Sequence, residues 1–307
     1  MSVTIIRPST HEAWLELRKG GIGSSEVGSI LGVNPYETPY QCWLRKTGQT
    51  PPKEENTAML LGHLLEDAVA RLYAKATGNT VDETTVGDWC ARSDFREYTT
   101  ASPDRICVTP DGGKVLLECK TTQMDVSEDD YPKSWFCQVQ YLLACTEMDE
   151  GAIAWLKRGR DFGTKRIVRN KEFQEFMFDR LDRFWTDCIK GGKAPEAVSV
   201  EDVVMMHPMS EARPKVATPD IAFAVSTLRD KRGLLASLTE DCKRLEDEIK
   251  MFMGDADTLT VGLDTVCTWK TAKGRVTVDT KALREDHPDL CKEYERSGAP
   301  SRIFRLK

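Results

Sequence analysis

The sequence lacks the features that mark membrane, secreted and zinc-binding proteins. It has no run of about eighteen apolar residues, so we expect no membrane span. Its N-terminus lacks the basic-then-apolar build of a signal peptide. The ten cysteines form neither a C-x-x-C pair nor the Cys/His spacing of a zinc site. We therefore expect a cytoplasmic protein with reduced thiols.

An excess of positive charge is also absent, because 43 Lys and Arg stand against 49 Asp and Glu and leave a net charge of −6. A general nucleic-acid coat protein should be basic, so this balance counts against that class. It does not exclude a nuclease, which needs clustered acids for metal and can concentrate its bases in one groove. The 307 residues can bury a large core, in one elaborated domain or two.

Residues 99–123 carry the pattern on which the functional interpretation rests. Two apolar runs, residues 106–108 and 115–117, flank the turn sequence Thr-Pro-Asp-Gly-Gly at 109–113. Proline, aspartate and paired glycine are the residues that a tight turn requires, so this stretch predicts a β-hairpin.

Three charged residues fall at one end of that hairpin. Asp104 lies where the first strand begins, and Glu118 and Lys120 lie near the end of the second. Side chains alternate along a strand, so Glu118 and Lys120 share one face. Carboxylates are ligands that Mg²⁺ prefers, and a nearby lysine can orient water and offset negative charge. Pro103-Asp104 followed by Glu118-x-Lys120 resembles the PD-(D/E)xK nuclease superfamily, although a solvated strand with an ion pair gives the same short pattern.

Residues 57–77 predict an amphipathic helix with Leu61, Leu65, Ala68 and Leu72 on its core stripe. Glu66 lies on a neighbouring stripe that is otherwise apolar or small. A carboxylate at the edge of a buried face needs a partner, and either a metal or an arginine would supply one.

Residues 18–26, Arg-Lys-Gly-Gly-Ile-Gly-Ser-Ser-Glu, separate two short predicted helices, the second of which begins at Ser24-Ser25. A glycine-rich loop that leads into a helix, with bases before it and hydroxyls after it, is a good cradle for phosphate. A helix–helix turn with a serine cap is the alternative interpretation.

The later part of the core predicts a helix over 132–144, a strand over 151–158 and a helix over 171–190. Gln138 lies on the inward stripe of the first helix, so its amide must find hydrogen bonds. Gln140 lies two residues away and faces another direction.

Beyond the core, residues 191–219 predict a linker broken by prolines, and residues 220–253 predict a long charged amphipathic helix that can pair with another helix or subunit. Short strands are predicted at 265–270, 275–278 and 302–305, with a helix at 280–286. The expected division is a nuclease core over 1–192, a linker over 193–219 and a C-terminal helix with a small β extension over 220–307. The extension contacts either DNA or a neighbouring subunit.

These pieces together resemble the YqaJ-like viral recombinase family, relatives of the phage lambda-type 5′→3′ alkaline exonuclease. The resemblance covers roughly residues 12–190. Its motifs, in order, are Arg18-x-x-Gly21-Ile22-Gly23-Ser24-Ser25-Glu26, Gly62-x-x-x-Glu66, Ser102-Pro103-Asp104, Glu118-x-Lys120 and Gln138-Val139-Gln140-Tyr141-Leu142.

The resemblance implies a role for each matched residue. Asp104 and Glu118 hold Mg²⁺, with two ions per site and Mn²⁺ as an alternative, and Glu66 reaches one metal directly or through water. Lys120 activates the attacking water, and Gln138 positions water or lysine. The 5′-terminal phosphate binds to Arg18, Ser25 and Ser102. The chain departs from many members at Arg105, where they have glycine, and this places a cation beside the site.

The family's fold is a mixed α/β core of the restriction-endonuclease type, with a central mixed sheet flanked by helices. The resemblance implies double-stranded DNA ends as substrate, a single-strand annealing recombinase as partner, and a ring-shaped homotrimer.

Three functions stay open at this point. The first is a Mg²⁺-dependent 5′→3′ exonuclease that digests one strand of linear duplex to 5′-mononucleotides for phage-type recombination. The second is a structure-specific or nicking endonuclease of the same fold, which would cut closed circular DNA. The third is a non-catalytic DNA-binding scaffold, which the acidic net charge and the long helix favour and the buried acids oppose.

Overall fold

A computed structural model describes residues 3–51, 56–87, 89–298 and 301–306. The chain divides into two compact units, residues 1–206 and 207–307. Among the described residues, no helix is both long and apolar enough to span a bilayer.

The first unit alternates short strands with helices. In chain order its elements are β1 (Val3–Ile6), α1 (His11–Lys19), β2 (Ile22–Gly23), α2 (Ser24–Ile30), α3 (Pro39–Lys46), α4 (Thr57–Thr77), β3 (Thr80–Val81), β4 (Cys90–Ser93), β5 (Thr99–Thr100), β6 (Arg105–Val108), β7 (Lys114–Thr122), α5 (Lys133–Thr146), β8 (Glu150–Lys157), β9 (Asp161–Val168), α6 (Lys171–Arg183) and α7 (Val200–Met206). A 3₁₀ turn at Glu83–Thr85 and a π-helical segment at Phe184–Lys190 complete it.

A five-stranded mixed sheet in the order β3-β6-β7-β8-β9 forms the centre of this unit. The β7–β8 pair is parallel, and the other three pairs are antiparallel. Helices cover both faces of the sheet, so the predicted mixed α/β class with a central mixed sheet is confirmed.

The predicted hairpin is present as β6 and β7, with Arg105 opposite Leu117 and Val108 opposite Lys114. Gly112 has a φ of 86°, a left-handed conformation that glycine adopts without strain. The turn chemistry therefore sets the register that carries Asp104 to the end of β7.

The two faces of β7 meet different helices. Leu117 packs with Val69 and Tyr73 of α4, while Leu116 belongs to the larger cluster that includes Val139 of α5. Because side chains alternate along the strand, Glu118 and Lys120 are turned toward α5.

The helix at 57–77 has the predicted bounds, but of its predicted core stripe only Leu65 packs against the core. Leu61 and Leu72 are 48% and 39% exposed, whereas Val69, Ala70 and Tyr73 are buried. The helix is rotated so that the stripe containing Glu66, rather than the leucine stripe, faces the sheet. Leucine spacing alone does not determine this rotation, because the helix has apolar residues on more than one side.

β9 and α7 are two of the elements of the first unit that were not predicted. β9 pairs with the whole of β8, although its sequence, DFGTKRIV, has no strong apolar period. Within the stretch predicted as a linker, α7 forms, and Asp202 accepts a hydrogen bond from the hydroxyl of Thr38 at 2.7 Å.

The second unit contains a 35-residue helix, α8 (Pro219–Met253), followed by β10 (Thr258–Val261), β11 (Asp264–Thr268), α9 (Thr280–Asp286) and α10 (Pro288–Glu293). β10 and β11 form an antiparallel hairpin. The strands predicted at 275–278 and 302–305 are wrong, since the backbone there forms no ladder. The helix α10 begins at Pro288, where no helix was predicted. Proline at the first position of a helix is favourable, because its missing N–H would be unpaired there anyway.

Candidate active site

Three polar side chains form a closed triangle beside the end of β7. The Lys120 ammonium donates to Glu118 Oε2 at 2.8 Å and to Gln138 Oε1 at 2.9 Å. The Gln138 amide in turn donates to Glu118 Oε2 at 2.7 Å. Strand alternation places Glu118 and Lys120 together, and α5 lies over that face and supplies Gln138.

The structure also distinguishes the two glutamines of α5. Gln140 is fully buried; its amide donates to the Val168 carbonyl at 2.8 Å, and its oxygen accepts from the Asn170 N–H at 2.9 Å. These bonds join α5 to the end of β9. Gln138 is therefore the glutamine at the acidic site, and Gln140 is a structural residue.

One oxygen of Glu118 has no hydrogen-bond partner among the described residues. The side chain is completely buried, and Oε1 makes no hydrogen bond although Oε2 makes two. Burial, and after it the charge of the nearby Asp104, raise the pKa of Glu118 to about 8, against the opposing effect of Lys120. A buried carboxylate oxygen without a donor is costly, so this atom is poised for a ligand.

Asp104 approaches the same point from the adjacent strand. Its Oδ2 accepts a hydrogen bond from the backbone N–H of Cys119 at 2.7 Å. Burial raises the pKa of Asp104 despite the opposing charge of Lys120. The hairpin register thus holds the partly buried Asp104 and the fully buried Glu118 close enough to affect each other's ionisation.

Glu66 is paired with an arginine. Arg105, only 6% exposed, donates from Nη1 to Glu66 Oε1. Burial and then the charge of Asp104 raise the pKa of Glu66, while Arg105 lowers it. Of the two partners that the sequence left open for this carboxylate, the structure contains the arginine.

The described residues contain no group of three or more His, Cys, Asp or Glu side chains arranged to hold a metal ion. The donor set nevertheless fits Mg²⁺, which is usually bound by one or two protein carboxylates and completes its shell with water and substrate phosphate. Asp104 and Glu118 are those two carboxylates, and the unpartnered Glu118 Oε1 is the atom that a cation would satisfy.

The predicted phosphate-binding residues lie around the start of α2. Arg18 donates to Ser25 Oγ at 3.2 Å, and its guanidinium carbon lies 4.5 Å from the centre of the Trp14 ring. The glycines are not a free loop, because Ile22 and Gly23 form β2 and pair in parallel with β5. A side chain at Gly21 would approach the Tyr98 carbonyl to 2.4 Å, so this close contact explains the glycine.

A second arginine, Arg92, lies in the same region. Its Nη2 would be 3.8 Å from a Cβ at Gly20, and its Nε is buried without a hydrogen-bond partner among the described residues. Ser102 hydrogen-bonds with the Cys90 thiol, whose pKa burial raises and both Arg92 and Arg18 lower. The structure therefore brings Arg18, Ser25 and Ser102 to one neighbourhood, with Arg92 added to it.

A buried ion network anchors the back of this region. Glu26 Oε1 accepts from Arg45 at 2.9 Å, and Oε2 accepts from Lys46 at 2.8 Å and from the Gly23 N–H at 2.9 Å. Burial alone would raise the pKa of Glu26, but Lys46 and Arg45 outweigh it and the pKa lies below its ordinary value. This network holds α3 against the β2–α2 junction.

Sequence reasoning missed the roles of Arg92 and Lys46, and it placed Arg105 beside the site without identifying its pairing with Glu66. Arg105 carried the clearest signal, because it directly follows Asp104 at the start of the predicted hairpin. Arg92 and Lys46 lie in segments with no motif, and only the packing of β4 and α3 brings them to the site.

Comparison with known proteins shows which family the chain belongs to. The family model described as a YqaJ-like viral recombinase domain matches residues 13–149. The uncharacterized protein YqaJ of Bacillus subtilis (strain 168) is 31% identical over 301 residues, which cover 94% of this chain and 91% of that protein.

Among solved structures, the chain is similar to an alkaline exonuclease, LHK-Exo, from Laribacter hongkongensis. The match has 18% identity and a TM-score of 0.46, and it covers 59% of this chain and 93% of that one. A structure of LHK-Exo in complex with dAMP matches with 19% identity and the same TM-score and coverage.

Proposed function

This chain belongs to the YqaJ-like viral recombinase family, and we propose that it is a Mg²⁺-dependent 5′→3′ exonuclease that digests one strand of linear double-stranded DNA to 5′-mononucleotides. The observation that carries the proposal is the carboxylate pair of Asp104 and the fully buried Glu118, with one Glu118 oxygen unsatisfied and Lys120 and Gln138 hydrogen-bonded beside it. A binding module gains nothing from such a pair next to phosphate.

We assign the metal to Asp104 and Glu118. When bound, Mg²⁺ would lower the pKa of a coordinated water and neutralise charge on the scissile phosphate. The chain's contribution is to keep both carboxylates fixed, Asp104 through the Cys119 N–H and Glu118 through the triangle.

Lys120 and Gln138 then act on water and phosphate. The ammonium group has three donors, and two of them are used on Glu118 and Gln138, so one N–H is left for a water or a phosphate oxygen. We propose that this donor orients the attacking water and offsets the negative charge that develops on the phosphate. The Gln138 amide fixes the direction of the lysine.

We place the 5′-terminal phosphate between Arg18, Ser25 and Ser102, with Arg92 as a further cation. Arg18 donates to the neutral Ser25 hydroxyl, and Arg92 Nε is buried without a hydrogen-bond partner among the described residues, so both arginines favour an anion from outside. Ser102 lies two residues from Asp104, so one short segment links the phosphate pocket to the metal ligands.

The biological setting follows from the family. We propose that the 3′ single strand left by digestion is passed to a single-strand annealing recombinase, and that the chain works as a ring-shaped trimer around duplex DNA. We propose the cytoplasm as its location, where the ten unpaired cysteines would stay reduced.

The experiment compares linear duplexes carrying 5′-phosphate or 5′-hydroxyl ends with a supercoiled circle, in Mg²⁺ or EDTA. Wild type should degrade the linear DNA only with Mg²⁺, faster from 5′-phosphate ends, and should leave the circle intact. Lys120→Ala should be inactive. Cutting of the circle would replace the exonuclease by an endonuclease, and metal-independent binding without turnover would leave a scaffold.

A further inference from the structure

Arg105 is a buried cation inserted between the helix α4 and the acidic site. Its guanidinium contacts Glu66 Oε1 and the Asp104 carbonyl oxygen, the latter at 2.5 Å, and its Nε has no hydrogen-bond partner among the described residues. A buried guanidinium requires a counter-ion, and breaking such a pair costs several kcal/mol. Glu66 is that counter-ion.

The nearby Asp67 does not compete for this role. Its Oδ1 lies 3.8 Å from Arg105 Nη2, but its Oδ2 accepts from Arg71 at 2.9 Å and its side chain is half exposed. The charge of Asp67 is thus matched by Arg71 at the surface.

The remaining charges at the site nearly balance. Three carboxylates, from Glu66, Asp104 and Glu118, face two cations, Lys120 and Arg105. The site therefore carries one net negative charge when all three carboxylates are ionised, and one divalent cation changes this to one net positive charge. A second divalent cation would then leave an excess of three positive charges before DNA arrives, in a site whose carboxylates are largely removed from solvent.

Resting on the nuclease function proposed above, we propose that Arg105 takes the place of a second metal ion, so that the site binds one divalent cation on Asp104 and Glu118 while Glu66 is held by the arginine. Arg105 is then a positioning residue that sets the metal count. This differs from the two ions per site that the family resemblance implies.

The test is the number of Mn²⁺ ions bound per chain in DNA-free protein, measured by electron paramagnetic resonance during titration. Wild type should bind one ion, and Glu66→Gln should still bind one. Arg105→Gln frees Glu66 and should bind two, and the double variant Arg105→Gln/Glu66→Gln should return to one.

Two ions in wild type, falling to one in Glu66→Gln, would overturn the inference and leave the proposed nuclease intact. No ion in wild type would overturn the metal-dependent function and the inference with it. If Arg105→Gln fails to fold, the counts for wild type and Glu66→Gln still decide between one ion and two.

Discussion

The first unit holds two buried clusters of charge, one around Glu26 and one around Glu118, and they are completed differently. Both oxygens of Glu26 are paired, with Arg45, Lys46 and the Gly23 N–H. Glu118 accepts two bonds on one oxygen and none on the other. The pKa of Glu26 is lowered, whereas that of Glu118 is raised to about 8.

This difference separates a structural network from a functional one. In a satisfied buried network, internal hydrogen bonds and ion pairs offset the cost of desolvation and fix how elements pack. A buried network with an unpaired polar atom is destabilising, so the rest of the fold must compensate for it, and only a ligand supplies the missing partner. Both clusters contain a glutamate and a lysine, so residue type does not distinguish them.

The largest expected effect is on catalysis at the unsatisfied cluster. Glu118→Gln removes a metal ligand but keeps the size of the side chain, and we expect the rate of digestion of linear duplex to fall by about 10³-fold, or about 4 kcal/mol in the activation barrier. Release of acid-soluble nucleotides measures it. Activity within tenfold of wild type would show that Glu118 is not a ligand.

A substitution in the cluster around Glu26 should lower the stability of the protein. Glu26→Gln leaves the buried Lys46 without its charge partner, and we expect the free energy of unfolding to fall by about 3 kcal/mol in urea titrations. The control is Glu16→Gln, which breaks an exposed pair with Lys19 and should change stability by less than about 0.5 kcal/mol. Equal losses of unfolding free energy in the two variants would contradict the claim that the buried Glu26 pairs stabilise the fold more than the exposed Glu16–Lys19 pair.

A smaller, pH-dependent effect follows from the same carboxylate. Because the folded-state pKa of Glu26 lies below its ordinary 4.5, its stabilising contribution is present above that pH and is lost as the pH falls through the folded pKa. Wild type should therefore lose stability more steeply below about pH 4.5 than Glu26→Gln. Parallel curves for the two proteins would contradict the assignment.

The smallest expected effect lies at the phosphate pocket. Arg18→Gln should lower the preference for 5′-phosphate over 5′-hydroxyl ends by about tenfold, or about 1.4 kcal/mol, since one charge-assisted contact is lost. The matched control is Arg160→Gln on the exposed β8–β9 turn, which should leave the preference unchanged. An unchanged preference in Arg18→Gln would remove Arg18 from the pocket.

The sequence was informative where local chemistry decides structure. The turn at 109–113, strand alternation at Glu118 and Lys120, and the bounds of the helix at 57–77 all follow from short-range rules, and the structure contains them. The rotation of that helix did not follow, because it depends on which stripe the sheet can accommodate. Leu61 is exposed although its spacing marks it as core.

The partners of the site residues were the least predictable part. Nothing in the spacing tells that Glu66 meets Arg105, because the two residues are brought together only when α4 packs across β6 and β7. The spacing turns Gln138 and Gln140 in different directions but does not identify their partners. The Asn170 N–H, just before α6, donates to the Gln140 side-chain oxygen and gives that residue a structural role.

The most direct test of the central claim is the thermal unfolding midpoint of wild type, Glu118→Gln and Glu26→Gln, each with and without Mg²⁺ and without DNA. A ligand at about 100 times its dissociation constant stabilises its binding state by about 2.7 kcal/mol. We predict that Mg²⁺ raises the midpoint of wild type and of the less stable Glu26→Gln, but not that of Glu118→Gln. Equal gains in all three proteins, or no gain in wild type, would contradict a metal site at Glu118.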